Sequence, residues 1–289
     1  MSEFELPDND ILDVLFGEEA DPEWLIRDFL IQGSFTTLIG ESGAGKSTIA
    51  YLLALAVASG QPVLSGLVRP AEPRRVLYFD DENSGPDGNR YLRTAFQGMV
   101  GGSTTLERTM AKLLDENLRV VRGKLRRAGE HWAEAVADWV IAYRPHLIVY
   151  DTANACTNVE EENSNAEAGR TINKLKDIAT INESDGFVAC SLPLKHAKTR
   201  AEKGQIRTVR GAKVWKDMSD QTVFQIKLMG RPRKDNLSGT RLVPDKTRAY
   251  GLRNPIYIDP MWTDAARTAL VLRGSLKATQ EHNKDESEG

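Results

Sequence analysis

The chain of 289 residues lacks several features that would place it in a specialised class. No apolar run approaches the roughly 20 residues that a helix needs to cross a bilayer. The N-terminal stretch MSEFELPDND is acidic, unlike a targeting peptide. Cysteine is scarce, since Cys156 and Cys190 are the only two and form no C-x-x-C pair. We therefore expect a cytoplasmic protein with no membrane partner, disulfide framework or zinc site.

The chain also lacks an excess of positive charge. A net charge of −3 and a pI near 5.9 exclude a uniformly basic nucleic-acid coat, but they leave room for a local basic patch. The hydrophobic content of 40% is enough to bury the core of one large α/β domain. No internal repeat is visible, so an array of small units is not expected.

What the chain does contain is the segment GESGAGKST, which fits the phosphate-binding pattern G-x-x-x-x-G-K-[ST] completely. A short β-branched run precedes it and the apolar run IAYLLALAVAS follows it, which predicts the order strand, glycine loop, helix. Glycines let the backbone fold closely around phosphates, and the first N–H groups of the helix point at the negative charge. The predicted nucleotide-binding residues are Gly40, Glu41, Ser42, Gly43, Ala44, Gly45, Lys46, Ser47 and Thr48.

Two members of this loop carry the expected chemistry. Lys46 is placed to reach the β- and γ-phosphates of a nucleoside triphosphate. The Ser47 hydroxyl is placed to bind Mg²⁺, a hard ion that prefers oxygen ligands. The sequence thus predicts ATP and Mg²⁺ as cofactors.

Two later apolar strands end in carboxylates. Residues 75–79 are followed by Asp80, Asp81 and Glu82, and residues 145–150 are followed by Asp151 in a Walker B pattern. Carboxyl ends of parallel strands line the ligand crevice of an open sheet, so these groups are expected at the nucleotide. Asp151 would then hold Mg²⁺ directly or through water. The alternative for the first group is a solvated acidic turn.

The remaining patterns predict an α/β domain between two polar ends. We divide the chain into an acidic N-terminal arm at 1–21, an ATPase domain at 22–272 and a tail at 273–289 that is expected to be disordered. Helices are predicted over 106–116, 131–143, 169–181 and 262–272, a loop with a short helix over 84–102, and strands over 117–122, 186–192, 220–228 and 255–259. A hairpin built from residues 241–243 and 249–252 would give a C-terminal antiparallel extension.

A local basic patch lies in residues 193–216. This stretch holds eight Lys or Arg residues and His196 against one acidic residue, Glu202, in a chain whose overall balance is acidic. It follows a predicted central strand, so it would lie near the nucleotide. A solvated charged loop is the alternative interpretation.

The order of these motifs resembles that of the RecA-like ATPases, and most closely the plasmid RepA-type hexameric helicases with their phage and mobile-element relatives. PEWLI, VLYFDDEN, LIVYDT and VRGAKVWKDMSDQTV carry the resemblance, which spans roughly residues 22–253. It implies a RecA-like P-loop NTPase core, with a mainly parallel twisted sheet flanked by helices. It also implies that Glu82 is the general base for the attacking water. Asp80 is the rival on the same face of the strand, whereas Asp81 should face away.

The resemblance further implies basic fingers and DNA-contacting loops. The fingers would be Arg231 or Arg233 with Lys227, presented across a subunit interface. Of the two loops, residues 154–168 are acidic and receive no phosphate contacts here. The residues assigned to single-stranded DNA in the second loop are Lys195, Lys198, Arg200, Lys203, Arg207 and Arg210. The γ-phosphate sensor stays open, with His196 as a weak candidate against a simple loop histidine.

Three functions fit this set of motifs. The first is a ring-forming, hexameric replicative helicase that hydrolyses ATP on single-stranded DNA. The second is a RecA-like recombination mediator or single-strand annealing ATPase. The third is a regulatory ATPase of the KaiC type that contacts no nucleic acid. The sequence does not settle helicase against mediator, polarity, ring size, loading partner or nucleotide preference.

Overall fold

The computed structural model describes residues 15–16, 21–83, 85–157, 164–196, 212–220, 222–229, 239–247, 254–262 and 270–276. Within them, nine strands form one sheet, and two short strands form a separate hairpin. The strands are β1 Trp24–Ile26, β2 Leu30–Ile31, β3 Thr37–Gly40, β4 Val76–Asp80, β5 Leu118–Arg122, β6 Leu147–Asp151, β7 Cys190–His196, β8 Thr222–Met229, β9 Gly239–Thr247, β10 Ile256–Trp262 and β11 Leu270–Ser275.

The large sheet has two parts that share one continuous strand order, β11-β10-β9-β8-β3-β7-β6-β4-β5. The strands from β8 to β5 in this order run parallel to one another. The strands β9, β10 and β11 then pair antiparallel and extend the sheet beyond β8. The predicted parallel core with a C-terminal antiparallel extension is therefore confirmed.

Helices cover both faces of the parallel part. They are α1 Lys46–Ser59, α2 Gly85–Val100, α3 Thr104–Asn117, α4 Leu125–Ala128, α5 Trp132–Tyr143, α6 Ala153–Thr157, α7 Asn165–Ala179 and α8 Ala212–Met218. Successive residues of a strand point to opposite faces, and β6 shows this directly. Leu147 and Val149 pack in the core around α1, whereas Ile148 and Tyr150 pack in the core with α5 and α7. Burial on both faces explains why the parallel strands read as continuous apolar runs.

Several predicted elements differ from the observed ones. The predicted closing helix over 262–272 is wrong, because Trp262 ends β10 and Leu270 begins the sheet-edge strand β11. Pairing with β10 makes residues 270–275 a strand. Gly274 lets this strand approach the backbone of Leu64 closely, since a Cβ on Gly274 would lie 2.5 Å from the Leu64 carbonyl oxygen. The loop with a short helix predicted over 84–102 is instead the 16-residue helix α2.

Two further differences concern the strands. The predicted edge strand over 255–259 is β10, which lies between β9 and β11. Of the hairpin predicted from residues 241–243 and 249–252, the first part lies in β9, which pairs with β8 along its length. Residues 249–252 lie outside the described ranges. The bounds of the N-terminal arm and of the tail remain predictions, although β11 reaches Ser275, inside the predicted tail.

Candidate active site

The phosphate loop joins β3 to α1. Gly43 and Gly45 adopt φ values of 74° and 88°, in the left-handed region that glycine enters without strain, and α1 begins at Lys46. Gly40 is needed for a different reason, because a Cβ on it would lie 3.2 Å from both the Ile226 Cβ and the Lys46 Cγ. The loop therefore presents backbone N–H groups at the start of a helix, which is the arrangement that binds phosphate.

Lys46 is folded back onto this loop. Its side chain donates to the carbonyl oxygens of Gly40 at 3.1 Å and Glu41 at 2.8 Å, and it lies 3.1 Å from the Nδ1 of His196. The residue is 5% exposed, and burial lowers the pKa of Lys46 from its ordinary value. A buried amine held by neutral carbonyls would gain from an anionic partner, which is what a nucleotide phosphate supplies.

Ser47 and Asp151 bring together the oxygens suited to a hard cation. The Ser47 hydroxyl donates to Oδ1 of Asp151 at 3.1 Å, and the Tyr78 hydroxyl donates to Oδ2 at 2.7 Å. Burial raises the pKa of Asp151 to about 7, although both hydroxyl contacts act in the opposite direction. A carboxylate in such a dry site is stabilised by a nearby cation, so the donor set fits Mg²⁺.

Glu82 lies just beyond β4 and faces His196. Nε2 of His196 lies 3.0 Å and 3.2 Å from the two carboxylate oxygens of Glu82. The hydrogen bond with His196 lowers the pKa of Glu82, against an opposing effect of burial, so the carboxylate stays ionised at neutral pH. The side chain is 39% exposed, so water can reach it. An ionised carboxylate in contact with water near the phosphate loop has the properties of a general base.

The rival carboxylates are already engaged elsewhere. Asp80 is fully buried and accepts hydrogen bonds from Tyr51 at 2.5 Å, from Arg122 at 3.3 Å and from the Asn83 side chain at 2.8 Å. Asp81 is 5% exposed and accepts from the backbone N–H of Arg126, in α4, at 2.6 Å. Glu82 is thus the member of the acidic turn that faces the phosphate loop.

Four adjacent strands deliver these groups to the same edge of the sheet. The loop follows β3, Glu82 follows β4, Asp151 ends β6 and His196 ends β7, and these strands are neighbours in the order β3-β7-β6-β4. The strand β7 extends four residues beyond the predicted strand end. His196 is therefore a strand residue inside the site and not part of a loop.

The structure contradicts the prediction that Lys195 contacts nucleic acid. Its side chain is 2% exposed, donates a hydrogen bond to Oδ1 of Asn154 and lies 5.0 Å above the Trp215 ring. A buried ammonium held in this way is not available to a phosphate backbone.

Other predicted residues lie where the structure gives no side-chain account. Lys227 belongs to β8, and only its backbone pairing with Arg241 is described. The remaining predicted finger and DNA residues lie outside the described ranges: Arg231, Arg233, Lys198, Arg200, Lys203, Arg207 and Arg210. Their assignments stay predictions.

The roles of two tyrosines in the site were not found from the sequence. Tyr78 and Tyr51 contact the carboxylates Asp151 and Asp80 through their hydroxyls. The spacing of Tyr78, Asp80 and Glu82 could have placed Tyr78 on the same face of β4, because alternate residues share a face.

Across the described part of the chain, no group of three or more His, Cys, Asp or Glu could hold a metal ion. A cation here would therefore depend on hydroxyl and phosphate oxygens as well as on Asp151.

With this geometry established, the comparisons identify the family. The profile of the AAA domain family matches residues 1–188, more than half of the chain. The chain belongs to the AAA domain family. No curated protein sequence matches it. In the described part of this AAA domain, no helix is long and apolar enough to cross a membrane.

Among solved structures, the chain is similar to a KaiC-like protein from the hyperthermophilic archaeon Pyrococcus horikoshii. The two share 15% sequence identity with a TM-score of 0.50, over 86% of this chain and 94% of the archaeal chain. At this identity the likeness shows the fold alone. Together with the family match, it confirms the prediction of a RecA-like P-loop ATPase.

Proposed function

We propose that the protein hydrolyses ATP, with Glu82 as the general base. The observation that carries the proposal is the convergence of Lys46, Ser47, Asp151 and Glu82 at the carboxyl edge of four adjacent parallel strands. Phosphoryl transfer depends on positioning and on charge neutralisation more than on covalent help from the protein. In the proposal, Lys46, Ser47 and Asp151 serve charge neutralisation, and Glu82 serves the positioning of water.

The roles follow from the contacts. Lys46 would exchange the loop carbonyls for the β- and γ-phosphates, and Ser47 and Asp151 would hold Mg²⁺, which would neutralise charge on the phosphates. Glu82 orients the attacking water and accepts its proton. His196, which contacts both Lys46 and Glu82, keeps the base ionised and near the phosphate loop.

Two variants test the hydrolase proposal. Lys46→Ala should abolish triphosphate binding, because it removes the charge that meets the phosphates. Glu82→Gln should bind ATP normally and lose most of its turnover, typically 10²- to 10⁴-fold for loss of a general base. Turnover assays with parallel nucleotide-binding measurements distinguish the two. Near-normal turnover by Glu82→Gln would contradict the assignment of Glu82 as the base.

For the finer function, we propose a RecA-like motor on single-stranded DNA, most consistent with a hexameric replicative helicase of a plasmid, phage or mobile element. The support is the basic segment at residues 193–216 and its attachment to the site. The segment begins in β7, whose end residue His196 lies 3.1 Å from Lys46. Lys195 is removed from the contact set by its burial. The remaining set is Lys198, Arg200, Lys203, Arg207 and Arg210.

Neutralising Arg207 and Arg210 together tests the DNA proposal. Lys and Arg contacts to phosphates release counterions, so wild-type affinity should fall steeply with salt and show little sequence preference. The double variant should bind single strands more weakly, flatten the salt slope by up to roughly two contacts and lose DNA-stimulated hydrolysis. Basal ATP binding should be unchanged. Unchanged affinity and slope would remove the DNA assignment without affecting the hydrolase proposal.

A regulatory ATPase of the KaiC type is the second candidate. The KaiC-like structural neighbour favours it, and so does the burial of one of the cations first assigned to DNA. A third possibility, a recombination mediator, shares single-strand binding with the helicase. An assay on a forked DNA duplex separates all three. Only the helicase should displace a strand from the fork, and the regulatory ATPase should not bind the fork.

A further inference from the structure

Two buried tyrosines stack against each other beneath the nucleotide site. Tyr51 lies in α1 and Tyr78 lies in β4, and both are fully buried. Their ring centroids are 4.3 Å apart and the ring planes differ by 3°. The two side chains have the same chemistry and the same burial, so any difference in their roles comes from where their hydroxyls point.

The hydroxyls reach different carboxylates. Tyr78 donates to Oδ2 of Asp151 at 2.7 Å, whereas Tyr51 donates to Oδ2 of Asp80 at 2.5 Å. Asp151 ends β6 and Asp80 ends β4, and the two residues are register partners in the parallel ladder. The stacked pair therefore contacts one carboxylate inside the proposed metal site and one outside it.

The carboxylate of Asp151 is held from both sides. Ser47 donates to Oδ1 at 3.1 Å while Tyr78 holds Oδ2. In the proposed function the Ser47 hydroxyl would help to hold the cation, and its hydrogen bond to Asp151 would then be given up. The Tyr78 hydrogen bond needs no such change, because Tyr78 donates to the other carboxylate oxygen, Oδ2.

We propose that Tyr78 is a positioning residue that orients the Asp151 carboxylate toward Mg²⁺ and thereby sets the affinity of the nucleotide site for this ion. This inference rests on the proposed function, in which Ser47 and Asp151 hold Mg²⁺. Groups that hydrogen-bond to metal ligands fix the ligand's orientation, and losing one typically weakens metal affinity by 10- to 100-fold.

Tyr51 belongs to a separate, structural network. Its hydroxyl lies between Asp80 and Arg122, at 2.5 Å from Oδ2 of Asp80 and 3.2 Å from Nη2 of Arg122. Arg122 also donates to Oδ1 of Asn89, in α2, at 2.9 Å. This network links β4, β5, α1 and α2 and includes neither Ser47 nor Asp151. Tyr51→Phe is therefore a matched control, since it deletes the same atom from the stacked partner.

The experiment titrates Mg²⁺ into the purified full-length protein and follows binding of a fluorescent ADP. Tyr78→Phe should raise the Mg²⁺ concentration for half-maximal tight binding by roughly 10-fold or more, at the low end of the range for such groups. Its ADP affinity in EDTA should equal that of wild type. Tyr51→Phe should leave the Mg²⁺ requirement at the wild-type value, even where it lowers the melting temperature.

The outcomes separate this inference from the proposed function. If wild-type binding shows no Mg²⁺ dependence, the metal assignment of Ser47 and Asp151 fails. If wild type depends on Mg²⁺ and Tyr78→Phe matches it, only the role of Tyr78 fails. An equal shift in both tyrosine variants would also overturn the inference, because it would show a general loosening of the stacked pair.

Discussion

His196 joins two groups of the proposed ATPase site. Its ring contacts Lys46 on one side and Glu82 on the other. The hydrogen bond to Glu82 is the largest cause of the lowered pKa of that carboxyl. The basic segment at 193–216 begins within β7 and includes His196, so a shift of this ring on nucleotide binding would move the start of that segment.

We expect His196→Asn to change the pH profile of hydrolysis. Glu82 must be ionised to act as a base, and without the His196 hydrogen bond its pKa rises toward the ordinary value. Activity of the variant should therefore fall at a higher pH than wild type as the solution is acidified. His131→Asn is the control, because His131 is an exposed histidine with a side chain 85% accessible. Identical acid limbs in wild type and His196→Asn would contradict the assignment.

Asp151 gives a second pH effect, on the stability of the protein without nucleotide. Burial raises its pKa to about 7, above the value of 3.8 for an exposed carboxyl. Between pH 3.8 and about pH 7, Asp151 is protonated in the folded state but ionised in the unfolded state. Its contribution to stability is therefore present at low pH and is lost as the pH rises toward 7. Asp151→Asn cannot ionise. The difference in melting temperature, variant minus wild type, should therefore grow from pH 5 to pH 8, and a constant difference would contradict the raised pKa.

At the scale of elements, α2 is the helix that sequence reasoning underestimated. Its composition includes several glycines, which disfavour helix, yet two of them sit where a side chain would collide. A Cβ on Gly88 would meet the Asp80 carboxylate, and one on Gly98 would meet the backbone of Leu270, with the Leu270 carbonyl carbon at 2.6 Å. Packing against β4 and β11 thus explains residues that local propensity could not.

This packing predicts opposite effects of the same substitution in two helices. Gly98→Ala should destabilise the protein by roughly 1–3 kcal/mol, because the added methyl group displaces β11. Gly169→Ala in α7 meets nothing within 4 Å, so it should stabilise by about 0.4–1 kcal/mol through the unfolded chain. Urea unfolding of both variants measures the difference. Equal stabilisation of both would mean that β11 does not lie against α2.

The contrast between local sequence pattern and long-range packing explains which parts of the molecule were predictable. The strands β3, β4 and β6 are buried on both faces, so their apolar runs and the residues at their ends could be identified from sequence. The phosphate loop was predictable because its glycines and Lys46 are fixed by phosphate chemistry. Tyr78 and β11 depend on long-range partners, respectively Asp151 and β10, which no local pattern contains.

At the scale of the whole molecule, the described chain supplies the phosphate loop, the carboxylates and the proposed base from one sheet edge. The resemblance to RecA-like helicases predicts that the fingers at Arg231 and Arg233 come from a neighbouring copy. They follow β8, which pairs with β3 on the side opposite β7. A finger from a neighbour stabilises transition-state charge and can raise turnover by about 10³- to 10⁵-fold. A site completed in this way would be active only when copies assemble.

Mixing two inactive variants tests this arrangement. Lys46→Ala cannot bind ATP but retains both fingers, whereas the double variant Arg231→Ala, Arg233→Ala binds ATP but lacks them. If the fingers act across an interface, mixed assemblies regain hydrolysis at interfaces where an intact loop meets an intact finger. A finger acting within its own chain would leave every mixture inactive. Full turnover by the double variant alone, measured on a monomer, would show that neither arginine is a finger.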